Sequence, residues 1–244
     1  MIIFENDGVH PSAMIWRLKY HWRRFWLARS GVRPFGRIAA WLGSVGTSPY
    51  HGRIVCAEKC EQGFVAASAR VDHPDVRMGK NVLLSDRVVV LAGDAEAGPI
   101  EFGDRVLLYG DTFIQSGAGG SLKIGEGTHV QPGCHFRAYV SQIEIGERVE
   151  IAAGCSFYCF THGIDLGEEI MSQELTSKGP ISVGDGAWLG HGVTVLEGVE
   201  IGPGAVIGAG SIVVKDIPAN AIAVGVPAKV IKYRERPSGE KGSD

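Results

Sequence analysis

The chain has 244 residues, enough for one sizeable core and a smaller accessory segment. A net charge of −3 gives no global push toward nucleic acid, and 35 Gly against 11 Pro, without a period of three, exclude a collagen-like fibre and point to many tight corners. No run of about 20 apolar residues and no apolar segment closed by a small-residue cleavage site is present, so a membrane-spanning chain is not expected. Cys56, Cys60, Cys134, Cys155 and Cys159 are odd in number and irregularly spaced. Two C-x3-C pairs, Cys56/Cys60 and Cys155/Cys159, could pass for half of a metal site, but the structural reading is better, since two of the cysteines occupy small-residue positions of a repeat. Free thiols without a disulfide framework point to a reducing compartment. The expected location is cytoplasmic, or peripheral at the inner membrane surface.

Charge is unevenly spread. No acidic residue stands between Asp7 and Glu58, whereas Arg17, Lys19, Arg23, Arg24, Arg29, Arg33, Arg37 and Arg53 all fall there. That asymmetry marks residues 1–75 as a separate unit. Within it, Ile15, Leu18, Trp22, Phe25 and Trp26 recur at helical spacing opposite a basic face, which predicts a basic amphipathic helix over 12–29 with Ser12 as its N-cap. Two readings of this helix stand side by side. It lies on an anionic membrane surface, or brings the protein to a lipid-linked glycan; or it docks across the end of the fold and covers an open strand edge. Residues 34–75 read as a loop and an irregular first coil, with Ile54, Val65 and Val71 as candidate inward residues.

From residue 76 a six-residue period takes over. Aliphatic or aromatic residues fall on one grid: Met78-Leu84-Val90, Phe102-Leu108-Ile114, Ile124-Val130-Phe136, Ile145-Ile151-Phe157, Val183-Leu189-Val195 and Ile201-Ile207-Val213. A small or aliphatic residue stands two places before many of them, and glycine often follows directly. Neither the helical period of 3.6 nor the strand period of two fits. The grid predicts a triangular solenoid in which each hexad makes a short strand and a corner and three hexads close a coil. Glycine then serves corners where a Cβ would crowd the turn or where φ must be positive. Six coils stacked at about 4.8 Å give a prism on the order of 30 Å tall.

The gaps between triplets locate insertions. The 12-residue step from Val90 to Phe102 reads as one extra, non-apolar hexad. The step from Phe157 to Val183 releases a loop over 158–177, and a loop that long in so regular a chain points to function. Residues 76–215 are therefore assigned to the solenoid, and 216–244 to a C-terminal extension whose tail from Pro237 is polar and expected to be disordered.

Residues 180–234 contain Trp188, the run Ile207-Gly208-Ala209-Gly210 and the run Gly225-Val226-Pro227-Ala228-Lys229 in register with the repeat. This stretch closely resembles the C-terminal half of the hexapeptide-repeat O-acetyltransferases, among them the maltose, galactoside and polysaccharide enzymes, and the likeness extends over roughly 76–236. The resemblance implies a mainly β fold, a left-handed parallel β-helix, and that hand is an exception to the usual right-handed crossover. It implies a homotrimer with acyl-CoA held between neighbouring prisms and an acetyl group passed from acetyl-CoA to a hydroxyl of a sugar or glycan. His162, in the 158–177 loop, takes the place of the general base, with Asp165 as a candidate to orient its ring. Transfer is direct, so no nucleophilic Ser or Cys is required. By the same register Trp188 and His191 lie near the thiol end of the pantetheine arm, Gly208 and Ala209 near its amides, and Lys229 and Lys232 near the CoA phosphates. No resident metal is implied. Two positions depart from the pattern: the stretch His135-Phe136-Arg137-Ala138-Tyr139 lacks the Asn that sugar acetyltransferases carry before the histidine loop, and His191 stands where relatives often have Ser.

Other readings share the fold. An amino acceptor, as in sugar-nucleotide N-acyltransferases or serine acetyltransferase-like enzymes, is a near variant. A non-catalytic scaffold is another. A zinc site like that of the γ-class carbonic anhydrases is suggested by His129, His135, His162 and His191, the first two being six residues apart and so placed on equivalent corners.

Overall fold

The computed structural model describes residues 11–31, 34–48 and 51–235. Three helices, α1 (Pro11–Leu27), α2 (Pro34–Ser44) and α3 (His51–Glu58), precede a parallel β-solenoid of about seven turns. Each turn contributes one strand to each of three sheets. The first sheet begins at Phe64–Val65 and runs through Leu83–Leu84, Leu107–Leu108, His129–Val130, Glu150–Ile151, Trp188–Leu189 and Val206–Ile207 to Ala221–Gly225. Its last strand, Ala228–Tyr233, folds back antiparallel on Ala221–Gly225. The second sheet runs from Arg70–Asp72 to Ile212–Val213 and the third from Val76–Met78 to Glu200–Ile201.

The hexad grid is the core. Leu84, Leu108, Val130, Ile151, Leu189 and Ile207 stack inside the first sheet, Val90, Ile114, Phe136, Phe157, Val195 and Val213 inside the second, and all are buried. Phe136 and Phe157 lie ring on ring, with centroids 4.6 Å apart and planes within 5°. Val65 and Val71 are inward residues of the first coil, as expected. Ile54 is not: it lies in α3, since 34–58 forms two helices rather than a loop, and the solenoid starts at Phe64. The core thus has one coil more than the six triplets indicate.

The corners separate the two uses of glycine. The residue directly after an inward aliphatic residue of the third sheet is Gly at 79, 103, 125, 146, 184 and 202, and a Cβ there would strike the backbone of the next coil; at Gly103 it would sit 2.7 Å from the Glu126 nitrogen. Positive φ occurs two residues later, at Asn81, Arg105, Gly127, Arg148, Gly186 and Gly204, at the equivalent corner after the first sheet, Arg87, Asp111, Gly133, Gly154, Gly192 and Gly210, and at Asn220. Non-glycine residues hold that place with φ between 51° and 62°, so the left-handed turn belongs to the coil and not to the residue type.

The step from Val90 to Phe102 holds no extra hexad. Strand Val89–Ala92 of the second sheet leads directly to Ile100–Phe102 of the third, and the surplus residues bulge from the corner between them. The surplus at 118–121 and 140–142 and the long excursion over 159–180 leave from the same edge. One edge of the prism therefore collects the irregular chain, while the other two stay regular. The third sheet's outer row reads Arg77, Glu101, Lys123, Glu144, Ser182, Glu200, a charged face suited to solvent.

The N-terminal helices close the open end. Helices α2 and α3 pack on strand Phe64–Val65. Arg37 donates to the carbonyls of Ala67 and Ala69, Asn81 Nδ2 to those of Ala57 and Glu58 at 3.0 Å each, and Arg53 pairs with Asp86 at 3.1 Å. Helix α1 begins at Pro11, so Ser12 lies inside its first turn rather than capping it; proline suits that first position because its missing N–H has no partner to lose. Its stripe of Leu18, Trp22 and Phe25 faces outward and is 50–64% exposed. Leu27, by contrast, is buried, and its carbonyl accepts the Cys60 thiol. The tail from Pro237 lies outside the described residues.

Candidate functional site

Six of the predicted site residues share one region. Trp188 opens a strand of the first sheet, paired with Glu150 on one side and Val206 on the other. The outer row continues from Val206 to Ile222 and Lys232. Alternation places the neighbouring Leu189 inward and Trp188 outward, where it is 52% exposed. His191 and Ala209 follow at the corners of successive coils and are exposed, with Gly190 packed against the Ala209 backbone. Gly208 has no room for a side chain, since a Cβ would lie 2.6 Å from Val224 Cγ1. Lys229 pairs with Val224 on the returning strand. Neither lysine forms an ion pair among the described residues.

The backbone at this corner offers a donor. Two residues after an inward aliphatic residue the N–H points away from the coil. At Lys80 and Glu147 it is taken by the carboxylates of Asp104 and Asp185, 2.8 Å away in each case. At Ala209, as at Asp86, Gly110, Ala153 and His191 on the same corner of earlier coils, no acceptor among the described residues takes it. A planar amide of an extended ligand running along the corner would satisfy it.

His162 stands elsewhere. It belongs to a two-stranded antiparallel ribbon, Thr161–His162 against Leu175–Thr176, inside the 159–180 excursion. Its neighbour Phe160 packs on Tyr139 with centroids 5.2 Å apart and on Tyr158 at 6.5 Å. The excursion is braced from within: Gly163 N–H donates to Glu174 O at 3.1 Å, and the Gln173 amide spans the Asp165 N–H, Asp165 O and Glu168 O. Ser177 Oγ anchors its end to the Cys159 carbonyl at 2.6 Å. The His162 ring is exposed, and among the described residues no hydrogen bond joins it to the Asp165 carboxylate, whose residue is held through its backbone.

The two groups are thus on different sides of one prism. The excursion leaves the edge between the second and third sheets, which lies opposite the first sheet bearing Trp188 and Lys232. No hydrogen bond, ion pair or ring contact among the described residues links them.

Residues beside the excursion escaped the sequence reading. Arg137 lies near the rings of Phe113 and Tyr139, at 5.6 and 5.8 Å, and its Nε is buried without a hydrogen-bond partner. With Tyr139, Tyr158 and Phe160 it makes an aromatic surface bearing one cation. The signal was the unusual density of rings in 135–160, which the inward grid only partly explains.

The histidines do not converge. His129 and His135 occupy equivalent places on two different sheets, not stacked corners, because a six-residue step moves the chain one face around the prism. His129 meets Glu150 at 3.3 Å and His135 stacks on Phe113. Among the described residues no three His, Cys, Asp or Glu side chains are grouped to hold a metal. All five thiols are buried, and burial pushes Cys60 and Cys159 up to about 11, which suits packing and not nucleophilic attack.

Comparison with known proteins fits this architecture. Residues 180–215 match the family model described as bacterial transferase hexapeptide (six repeats). Over those residues the repeat is similar to the transferase hexapeptide. Two curated relatives are similar over short stretches: "Putative acetyltransferase YJL218W" of Saccharomyces cerevisiae, 40% identical over 53 residues, and "Putative acetyltransferase C18B11.09c" of Schizosaccharomyces pombe, 45% identical over 56. These matches cover 22% and 23% of this chain and 27% of each relative, so the chain spans about a quarter of the curated relatives it matches. Two solved structures resemble the hexapeptide solenoid over more of its length. The polySia specific acetyltransferase NeuO is similar at a TM-score of 0.51 and 23% identity, over 72% of this chain and 86% of its own. A mutant of AntD, an N-acyltransferase from Bacillus cereus in complex with dTDP and Coenzyme A, is similar at 0.55 and 22%, over 65% and 84%. At those identities the likeness is one of fold.

Proposed function

We propose that the protein is an acyl-CoA-dependent acyltransferase that moves an acetyl group to a hydroxyl of a sugar or glycan. One observation carries the reading of the donor side: Trp188, the unclaimed Ala209 N–H and two unpaired lysines follow one another along a single face and corner. Such a track suits a long ligand with a thioester at one end, amides in the middle and phosphates at the other. Trp188 walls the thiol end beside His191, the Gly208–Ala209 backbone meets the amides, and Lys229 and Lys232 take the phosphates. Relatives with curated names of acetyltransferase type, and a structural neighbour that holds Coenzyme A, support the co-substrate class.

His162 serves as general base. It removes the proton of the acceptor hydroxyl as the oxygen attacks the thioester carbonyl, and returns it to the departing thiolate, so no acyl-enzyme forms. Because His162 and Trp188 lie on opposite sides of one chain, the complete site joins the His162 edge of one copy to the first sheet of the next. Three copies arranged in a ring would close three such sites. Asp165, exposed in the same excursion, orients the imidazole once a neighbour packs there. The ring-rich surface of Tyr139, Tyr158 and Phe160 suits a sugar ring, with Arg137 placed for an acidic group on it. The names of NeuO and AntD, one specific for a polymer of acidic sugars and one an N-acyltransferase, mark hydroxyl and amino acceptors as the two classes to assay. Incubation with acetyl-CoA and panels of both, reading thiol release, tests this; release that persists in His162→Ala removes the base from the proposal.

A further inference from the structure

The helical arm carries a second surface. Helices α1 and α2 pack on each other through small or buried positions, with Gly43 against Leu27 and Gly36 against the Gly31 backbone. On α2 the buried residues Gly36, Ala39, Ala40, Gly43 and Ser44 form one side. Phe35, Ile38 and Trp41 form the other, followed by Val45, all more than half exposed. On α1, Leu18, Trp22 and Phe25 likewise turn outward. An ordinary amphipathic pair would hide these side chains against the solenoid; here the cap uses the small-residue side, and seven large apolar groups remain outside.

The surface is also positive. From residue 8 to 57 the chain has eight Lys and Arg and no acid. Arg23 caps the end of α2 through Gly46 O at 3.1 Å, and Arg37 and Arg53 are tied to the solenoid. Lys19 and Arg24, on the shoulders of the α1 stripe, have no ion-pair partner among the described residues. Both line a cavity of about 950 Å³ between α1 and α3, together with Arg23 and Lys59 and with two acids, Glu58 and Glu61, so that the cations outnumber the acids there two to one. Arg29 stacks on Phe25 at 3.8 Å, at the margin of the apolar face.

We propose that α1 and α2 dock the protein in the plane of an anionic lipid bilayer, with Trp22, Phe25, Phe35 and Trp41 in the interface and Lys19, Arg24 and Arg29 on lipid phosphates. Rings at headgroup depth flanked by cations are the composition that such a surface selects. No described helix is long and apolar enough to cross a membrane, which agrees with a helix pair lying flat. A second copy of the chain is a poorer occupant, because it would bring the same positive arm against this one. The inference does not depend on the acyl-transfer reading.

The full chain is tested by flotation with vesicles of phosphatidylcholine alone and of phosphatidylcholine mixed with phosphatidylglycerol. Expected is about tenfold or greater preference for the anionic vesicles, weakened by salt and accompanied by a blue shift of tryptophan emission. Phe35→Ser/Trp41→Ser should lose that partition about tenfold at an unchanged melting temperature, since both side chains are already exposed. Lys19→Glu/Arg24→Glu should abolish the preference for charge while leaving the hydrogen bonds of the cap intact. Equal binding to both vesicle types, no binding, or undiminished binding by both variants overturns the proposal. So does loss of a self-association by Phe35→Ser/Trp41→Ser in protein that never binds vesicles.

Discussion

Trp188 and Lys232 stand in one row across the first sheet, three strand spacings apart, with Val206 and Ile222 between them. At about 4.8 Å per strand their backbones are roughly 14 Å apart, a span comparable to an extended pantetheine arm. The row depends on the last strand, Ala228–Tyr233, folding back antiparallel, because only that return carries Lys232 onto the same face as Trp188.

If the lysines hold phosphates, Lys229→Ala/Lys232→Ala should raise KM for acetyl-CoA by about tenfold, the loss of one charge-assisted contact or more, with kcat nearly unchanged. Trp188→Ala should raise KM as well. Initial rates over a range of acetyl-CoA concentration check both, and a fall in kcat at constant KM would place these residues elsewhere in the mechanism.

Replacing His162 by Ala should lower kcat by about 10²–10⁴ without weakening acetyl-CoA binding, since the ring lies off the donor track. His162→Gln should be equally slow. Calorimetric titration of the variant with CoA checks the binding half. Excision of residues 161–176 should have the same catalytic effect, yet leave the melting temperature close to that of the parent. The excursion's hydrogen bonds are mostly internal, while Ile181 returns to the solenoid by its own bond to Gln142 O at 2.9 Å.

The two kinds of corner glycine give a graded stability test. Gly192 has φ +69° and open space around a prospective Cβ, so Gly192→Ala should cost about 1–2 kcal/mol for the left-handed turn alone. Gly103→Ala meets the Glu126 backbone and should cost more, about 1–3 kcal/mol or above. Arg87 and Arg105 adopt the left-handed turn as non-glycine residues, so Arg105→Gly should be neutral or stabilising. Urea unfolding of the three variants orders them.

His73 ties the irregular edge together. Its Nδ1 accepts the Asp75 N–H at 3.1 Å and its Nε2 reaches Ser116 Oγ at 2.8 Å, a pattern that suits the neutral ring. Burial lowers its pKa, against the pull of Asp75. A histidine depressed in the folded state binds more protons when unfolded, so its contribution is complete above about pH 6.5 and is lost as the pH falls through the folded value. Stability should therefore decline as the pH falls below about 6.5, and His73→Gln should flatten that slope.

Much of this architecture is legible because one hexad serves every level at once. Leu84, Val130 and Ile207 follow the same period and are inward in every coil. The grid fails where the chain leaves the period. Val65 and Val71 stand one hexad apart and are inward, whereas Ile54 lies off that period and belongs to α3. The excess before Phe102 looked like a hexad since it numbers six, yet it is a corner bulge, which only pairing of Val89–Ala92 with the coil below reveals. The candidate site was legible as a set of residues but not as a geometry. Nothing in the order of His162 and Trp188 says that an edge and the opposite face of one prism separate them. The outward turn of Trp22 and Trp41 was hidden for the same reason: helical spacing marks an apolar face without saying which side the solenoid takes.

Acyl transfer at a site completed by two copies makes a definite demand on complementation. His162→Ala and Trp188→Ala/Lys232→Ala chains carrying different tags are produced in one cell, purified through both tags, and assayed for acetyl-CoA-dependent thiol release with the acceptor found for the parent. Assayed at acetyl-CoA well below the raised KM, each variant alone should be slow, and the mixed assembly should regain activity, because a sound His162 edge then meets a sound first sheet. Mixed assemblies as inactive as either parent would contradict the account.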